Sequence, residues 1–468
     1  MTTHRRVISN FLALGTGETV SRLIAFSVAI YLARILGAEA YGIIALAVGM
    51  SLYLGKVADF GIETSGIKEV AGAPDDIVRL ASALMSARLA LAAVLVTAAV
   101  SLSLFLLTEP ERTVFALYSL TLLLVAASTK WIHIGLEGAL PVALARVAGD
   151  ALILALVLAF VHGAGDLTTV PVAQLIGEFV VVLLLYLQLV TRRVHFTLRW
   201  DLRAAMPVFA RSFPLLVQLL LGLMLYNADL VFLRAFRDAA SVGYYAAAYA
   251  LISLVANIGM TYAFTLLPAM SRTDARSPEE TALWSTALAQ TAAVSLPVAA
   301  GIFMVAPQII RLGFGDGYAP SAAALQVLAF SIPFFTIRYV PWVAMIARGR
   351  VQQLTGAMVW AVVVNLVLNV VLVPKLGTVG AALATVLAEL VCASLMLRET
   401  YREHLPLPEA SRLVRPLVSV IVMIGVLWLM GTTALISGVG IGALAFIGTL
   451  AVLGGIRWKD GWLPTLHV

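Results

Sequence analysis

Long apolar segments separated by short polar breaks follow one another along almost the whole chain. Each has about 20 or more mostly apolar residues, the length that an α-helix needs to cross a bilayer. The breaks contain Pro, Gly or charged residues, as in Glu109-Pro110-Glu111-Arg112. Fourteen segments fit, with approximate edges at 8–33, 39–60, 80–107, 112–132, 142–161, 168–190, 209–233, 243–267, 282–306, 322–346, 353–373, 378–397, 413–433 and 436–455. The pattern predicts an all-α polytopic membrane protein with fourteen transmembrane helices.

Composition supports this prediction. Of the 468 residues, 61% are hydrophobic and only 12% are charged, whereas soluble domains are about 45–50% apolar and about 25% charged. A water-soluble core could not bury this much apolar surface. The basic start of the chain precedes an apolar segment that is too long for the core of a signal peptide. We therefore expect a retained first helix.

The basic residues are distributed unevenly between alternate loops. If the N-terminus lies inside, 21 of the 31 Lys and Arg residues fall in inside segments and 6 in outside loops. The positive-inside rule then predicts a multi-pass protein of the cell inner (cytoplasmic) membrane with both termini cytoplasmic. The net charge of +6 is interpreted as attraction to anionic membrane lipid, and no nucleic-acid partner is expected.

A basic cytoplasmic linker, 192–208, divides the first twelve helices. We predict a six-helix lobe at 1–191, a second at 209–400 and two additional helices at 412–456. The halves share six identities at an offset of 201, which pair Leu32, Ala38, Gly42, Ala45, Ala47 and Thr64 with Leu233, Ala239, Gly243, Ala246, Ala248 and Thr265. Six helices preserve orientation, so the repeats are parallel. Such repeats typically enclose a path that opens alternately to each side.

Several arginines lie inside the predicted spans. Glu18 and Arg22 are spaced i,i+4 on helix one, so they either neutralise each other or leave Arg22 facing a cavity. Arg88 and Arg338 have no acid nearby in the sequence. Arg88 either snorkels to the cytoplasmic side or, like Arg338, faces the cavity. Guanidinium groups match phosphate oxygens, so Glu18, Arg22, Arg88 and Arg338 are candidate substrate-binding residues.

Intramembrane acids are the candidates for ion coupling. Asp229 either binds a coupling cation or balances Arg338. Glu178 and Glu389 lie inside apolar runs, where each is either neutral and structural or part of a proton relay. Asp150 follows Arg146 by four residues, which predicts a simple ion pair.

Other polar residues have more ordinary interpretations. Asn365 and Asn369 are spaced i,i+4, which favours hydrogen bonds between helices, although a place in the substrate path stays open. Tyr244 and Tyr245 fit the outer aromatic belt better than a sugar-stacking surface. Asp59 is interpreted as interfacial.

No catalytic or metal-binding constellation is visible. The chain has no Gly-rich phosphate loop with Lys-Ser or Lys-Thr, and its six histidines show no ligand spacing. We therefore predict a transporter that is not an enzyme and has no cofactor or metal, with coupling to H⁺ or Na⁺ as the open alternative.

Four motifs resemble a known family. Residues 365–385 read NLVLNVVLVPKLGTVGAALAT, which resembles the NxxLNxxLxPxxGxxGAAxAT pattern of polysaccharide or O-antigen flippases. The FGDGY run at 314–318, the LARILGAEAYG turn at 32–42, and Asp229 followed by VGYY at 242–245 are similar to further family patterns. These flippases form part of the multidrug/oligosaccharidyl-lipid/polysaccharide (MOP) exporter superfamily.

The resemblance implies a V-shaped, MATE-like pair of six-helix lobes around a cationic cavity. Family members move undecaprenyl-pyrophosphate-linked oligosaccharides from the cytoplasmic to the outer leaflet by alternating access. Arg22 matches a position where related flippases place a cavity arginine. In some members two extra C-terminal helices form a groove for the lipid tail.

The resemblance also sets the expected partners and the rival functions. We expect a monomer whose partners are a lipid-linked oligosaccharide, membrane lipid and polysaccharide assembly proteins. The alternative is a cation-coupled multidrug exporter of the same superfamily. A membrane polysaccharide polymerase or ligase would need a large outer loop and clustered acids, which the sequence does not contain.

Overall fold

The computed structural model describes residues 3–72, 77–191, 201–407, 410–431, 435–459 and 463–466. Helices account for most of them. In chain order they are α1 Thr3–Asp59, α2 Ile62–Gly72, α3 Ile77–Leu106, α4 Glu111–Ala127, α5 Lys130–Gly135, α6 Ala139–Phe160, α7 Thr169–Thr191, α8 Leu202–Phe236, α9 Ala239–Thr265, α10 Leu267–Met270, α11 Pro278–Phe314, α12 Ser321–Ala329, α13 Ser331–Ala347, α14 Thr355–Leu376, α15 Thr378–Arg402, α16 Ala410–Met430 and α17 Leu435–Val452. An antiparallel pair, β1 Ile456–Lys459 and β2 Leu463–Leu466, follows them.

The fourteen predicted spans are confirmed as helices. Among the described residues, eleven helices are long and apolar enough to cross a membrane, and α12 with α13, bent by 41°, form a twelfth span. α1 contains the first two predicted spans, which meet at Gly37. The backbone of Gly37 is not helical (φ 78°, ψ 172°) and has a conformation that is essentially restricted to glycine. The shorter apolar helix α17 corresponds to the last span.

The chain divides into two compact units, residues 1–223 and 224–468, here called unit 1 and unit 2. The boundary falls within α8. Residues 192–200 of the predicted linker lie outside the described residues. Residues 202–208 of the predicted linker are helical, because α8 begins at Leu202.

In unit 1, glycines allow α1, α6 and α7 to pack closely. A Cβ added at Gly17 of α1 would lie 2.6 Å from the Cβ of Ala143 in α6. A Cβ at Gly149 of α6 would lie 2.9 Å from the carbonyl oxygen of Gly177 in α7, and the converse distance is 3.0 Å. Small residues at such crossings are typical of membrane helix interfaces.

In unit 2, two glycines of the 365–385 motif form the turn between α14 and α15. Gly377 has φ 57° and ψ −130°, a conformation that L side chains rarely adopt. A Cβ at Gly380 would lie 2.4 Å from the carbonyl oxygen of Leu372. The turn therefore folds α15 tightly back onto α14.

Large apolar side chains remain exposed on the outer faces of many helices, among them Phe105 of α3 and Trp428 and Leu429 of α16. Soluble monomers rarely expose apolar surface on this scale. Lipid is the solvent that such a surface requires, as the composition predicts.

Candidate functional site

Unit 1 contains an exposed charged cluster on three helices, here called the α1–α6–α7 cluster. It is formed by Glu18, Arg22, Arg146, Asp150 and Glu178. Nε and Nη2 of Arg22 lie 2.9 and 2.8 Å from Oε1 of Glu18. The predicted i,i+4 pair therefore forms. The side chains of Arg22 and Glu18 nevertheless stay 36% and 55% exposed, so the pair leaves Arg22 accessible to a ligand.

Arg146 joins the other two carboxylates of the cluster. Its Nε donates to Oδ2 of Asp150 at 3.0 Å, and its Nη1 donates to Oε1 of Glu178 at 2.8 Å. Gln174 donates to the same Glu178 oxygen at 3.2 Å. The predicted Arg146–Asp150 pair is present. Spacing along α6 did not predict that Glu178 of α7 completes the pair or that the Arg146 side chain is 43% exposed.

A signal in the sequence could have identified this cluster. Each of the three carboxylates directly follows one of the glycines at the helix crossings, in Gly17-Glu18, Gly149-Asp150 and Gly177-Glu178. Since each glycine marks a place where two helices approach closely, the residue after it lies at the same level as its partner on the neighbouring helix. The repeated Gly-acid pair therefore indicates that the acids converge.

Arg88 is placed differently from the prediction. Its side chain is 2% exposed, and Nη2 lies 2.9 Å from Oδ1 of Asp59. Its guanidinium also donates to the carbonyl oxygens of Val125 and Ser128, at 2.9 and 3.2 Å. Asp59 is the last residue of α1, and its carboxylate is buried against Arg88. Neither a snorkelling nor a ligand-accessible Arg88 is seen here, because its side chain is buried and both of its Nη atoms are engaged inside unit 1.

Arg338 is also enclosed. Its Nε lies 2.7 Å from Oε2 of Glu389, and the side chains are 8% and 4% exposed. Nη2 donates to the Tyr226 hydroxyl at 3.1 Å, and the guanidinium carbon lies 5.1 Å from the centroid of the Tyr339 ring. Glu389 therefore balances Arg338. The alternative that gave this role to Asp229 is wrong. Arg338 of α13 and Glu389 of α15 are 51 residues apart in the sequence.

Asp229 is the centre of a buried cluster in unit 2, here called the Asp229 cluster. Its Oδ2 accepts hydrogen bonds from Tyr245 at 2.5 Å and Thr385 at 2.6 Å. Its Oδ1 accepts from the side-chain amides of Asn365 at 3.3 Å and Asn369 at 2.5 Å. Four neutral donors thus surround one carboxylate that is completely buried.

The Asp229 cluster unites two of the sequence motifs. Asp229 and Tyr245 come from the D…VGYY motif on α8 and α9. Asn365, Asn369 and Thr385 come from the 365–385 motif on α14 and α15. The predicted hydrogen bonds of the two asparagines between helices are confirmed. The aromatic-belt interpretation is wrong for Tyr245, which is fully buried.

Aromatic rings connect the Asp229 cluster with the Arg338–Glu389 pair. The ring of Tyr245 stacks on Tyr249, with centroids 5.8 Å apart, and Tyr249 meets Tyr226 edge to face at 6.1 Å. Tyr226 in turn accepts from Arg338. Packed side chains of this kind give a continuous physical connection through unit 2.

Two family models match more than half of the chain. The model for polysaccharide biosynthesis proteins matches residues 7–274. The model for the lipid II flippase MurJ matches residues 141–454. Together they cover nearly all predicted spans.

Two curated relatives match shorter segments. One segment is 24% identical over 162 residues to the probable low-salt glycan biosynthesis flippase Agl15 of Haloferax volcanii and covers 34% of each chain. Another is 33% identical over 78 residues to an uncharacterized membrane protein of Methanocaldococcus jannaschii, which is 17% of this chain and 15% of that protein. The chain thus matches about a third or less of the length of these relatives.

Solved structures show the same fold. The lipid II flippase MurJ in an inward closed conformation aligns with a TM-score of 0.79 at 15% identity, covering 94% of this chain and 98% of that one. An inward-facing MATE family multidrug resistance transporter of the MOP superfamily aligns with a TM-score of 0.63 at 16% identity, covering 82% and 94%. The two family models show that the chain belongs to the polysaccharide biosynthesis protein family and to the family of the lipid II flippase MurJ.

Proposed function

We propose that the protein flips a polyprenyl-pyrophosphate-linked oligosaccharide from the cytoplasmic to the outer leaflet of the cell inner membrane, by alternating access, for surface polysaccharide biosynthesis. The observation that carries this proposal is the α1–α6–α7 cluster, which presents two accessible guanidinium groups inside apolar spans. Charges at membrane depth are costly unless they face water or a polar ligand. The family membership gives the substrate class.

The physical task explains why such a cluster is useful. A sugar pyrophosphate cannot cross hydrocarbon unaided, because burying an unpaired charge costs several kcal/mol at least. Guanidinium groups offer forked donors to phosphate oxygens. Arg22 and Arg146 would replace the water around the head group, while the polyprenyl chain stays in lipid.

The test is transport by the purified protein in liposomes that contain a fluorescent lipid-linked oligosaccharide. We expect protein-dependent movement between leaflets and its loss in Arg22→Ala. Arg402→Ala is the matched control, since Arg402 also forms an exposed ion pair within one helix, with Glu399. Absence of transport by the unmodified protein would reject the proposal.

The likeness to a MATE transporter supports a second candidate, cation-coupled multidrug export. This function predicts efflux of cationic dyes from the same liposomes. Dye efflux without movement of the lipid-linked sugar would favour it over the flippase.

The Asp229 cluster is our candidate for ion coupling to H⁺ or Na⁺. Its possible oxygen ligands are the Asp229 carboxylate, the hydroxyl groups of Tyr245 and Thr385 and Oδ1 of Asn369, and hard cations prefer oxygen ligands. Oδ1 of Asn369 is buried and has no hydrogen-bond partner in the described part of the chain. A small monovalent cation would replace the donors that now bind the carboxylate. Asp229→Asn should abolish the dependence of transport on an imposed Na⁺ or pH gradient. An unchanged dependence in that variant would reject this coupling site.

A further inference from the structure

The charges of the α1–α6–α7 cluster do not balance. Three carboxylates, Glu18, Asp150 and Glu178, face two guanidinium groups, Arg22 and Arg146. With every group ionised, the cluster has a formal charge of −1 inside apolar spans. Three carboxylates thus compete for two guanidinium groups, and an anion that engages the guanidinium fork at two points can replace the least firmly held of them.

Glu18 is the most weakly held of the three carboxylates. Asp150 and Glu178 share Arg146, and each is largely buried by the close contact of α6 and α7. Glu18 contacts Arg22 through Oε1 alone, and its side chain is 55% exposed. It is therefore the carboxylate that an incoming anion can displace with the least disruption.

The geometry points to Glu18 as an internal anion that occupies Arg22 in the resting protein and that a phosphate or pyrophosphate group displaces. This inference rests on the proposed function for its substrate class. A pyrophosphate oxygen pair can engage the fork of Arg22 at two points, whereas Glu18 uses one oxygen. The exchange replaces one anion by another and keeps Arg22 paired throughout.

Within the described part of the chain, Arg146 is the other guanidinium of the cluster, and it is already bonded to Asp150 and Glu178. The displaced Glu18 carboxylate therefore turns to water, to which its exposed side chain is open.

The other charged groups of the helices around Glu18 do not alter this balance. On α5, Lys130 forms an ion pair with Glu63, and Nδ1 of His133 lies within hydrogen-bond distance of the Thr129 carbonyl oxygen. α3 and α4 pack against the second half of α1, around Ala58. The charged groups on these two helices and on the turn after α6 are Arg79, Arg88, Glu111, Arg112 and Asp166. Arg79 and Arg88 are paired with Asp201 and Asp59.

The test is calorimetric binding of farnesyl pyrophosphate and, separately, inorganic pyrophosphate to the full-length protein in detergent. Glu18→Gln should bind each probe about two- to fivefold tighter than the unmodified protein, because an exposed competing ion pair is removed.

Controls separate this exchange from a general charge effect. Glu399→Gln removes the carboxylate of another exposed pair within one helix and should leave the affinity unchanged. Arg22→Ala should lose binding. If Glu18→Gln did not fold, Glu18→Asp, whose shorter side chain holds Arg22 less well, should show the same tightening to a smaller extent.

The two probes distinguish the source of the phosphate. Tightening with farnesyl pyrophosphate alone identifies a lipid head group, and tightening with both probes identifies phosphate chemistry without a lipid requirement. Unchanged or weaker binding in Glu18→Gln would overturn the inference. Transport by the unmodified protein together with unchanged binding in Glu18→Gln would reject the inference alone, whereas the expected tightening without transport would reject the proposed function.

Discussion

Two groups of charged residues, one in each unit, differ in how accessible they are. In unit 1 the α1–α6–α7 cluster leaves Arg22 and Arg146 more than a third exposed. In unit 2 Arg338 and Glu389 enclose each other, and the Asp229 cluster is completely buried. Similar residue types therefore serve different purposes. An accessible guanidinium can exchange its partner for a ligand, whereas a buried one fixes the helices around it.

This comparison changes what substitutions should do. Arg22, Arg338 and Asp229 look equivalent as intramembrane charges in the sequence, and loss of transport without loss of protein would be expected for all three. The structure separates them, because removing a partner from a buried pair also destabilises the fold. The predictions below follow the expected change in the free energy of unfolding, from largest to smallest.

The largest change is expected for Glu389→Ala. Removal of this carboxylate leaves Arg338 buried and unpaired, which costs about 3–5 kcal/mol. The double variant Glu389→Leu with Arg338→Met should recover most of the loss, because no buried charge remains. Unfolding in detergent measures both. If Glu389→Ala were as stable as the unmodified protein, Arg338 would have to be accessible to water, which would contradict its enclosure in unit 2.

A smaller loss is expected for Gly149→Ala in unit 1. The added Cβ would lie 2.4 Å from Cγ2 of Val181 and 2.9 Å from the Gly177 carbonyl oxygen, and overpacking of this kind costs about 1–3 kcal/mol. It should also separate Arg146 from Glu178 and reduce transport. Gly425→Ala is the control, since a Cβ there meets nothing within 4 Å. Equal unfolding temperatures for the two variants would contradict the close α6–α7 contact.

Asp238 lies outside the membrane spans and shows how much an ordinary water-accessible carboxylate contributes to the free energy of unfolding. It caps α9 by accepting from the Ser241 amide at 2.7 Å, and this hydrogen bond holds the pKa of Asp238 below its usual value. Asp238→Ala should cost about 1 kcal/mol at neutral pH.

The pH dependence of this cap has a definite sign. A lowered native pKa stabilises the fold above the ordinary Asp pKa of about 3.9, and the contribution is lost as the pH falls through the native pKa. Asp238→Asn retains the cap and removes that pH dependence. Unfolding measured between pH 7 and pH 3 checks both variants, and an identical pH profile for Asn and Asp would rule out this contribution.

The smallest change in stability is expected for Arg22→Ala, because an exposed ion pair contributes about 0–1 kcal/mol. Transport should nevertheless fall by about tenfold or more, since charged hydrogen bonds to the ligand are lost. Initial rates in liposomes, normalised to inserted protein, measure this. A loss of stability as large as that of Glu389→Ala would show that Arg22 is structural and would remove the contrast between the units.

The sequence by itself determined the fourteen spans and the fold, because bilayer thickness imposes a helix length that apolar runs reveal directly. It also determined local pairs such as Glu18–Arg22 and Arg146–Asp150, since i,i+4 spacing fixes their separation. The 365–385 motif indicated the family. Its asparagines were correctly expected to bond between helices.

Only the tertiary structure decided which charges are enclosed. The partners of Arg88 and Arg338 lie 29 and 51 residues away, and the donors to Asp229 come from three other helices. Such contacts depend on how helices cross, which Gly149, Gly177 and Gly380 control through close approach. Spacing along one helix cannot reveal an acid on the next, and this is why Arg22 and Arg338 looked alike in the sequence.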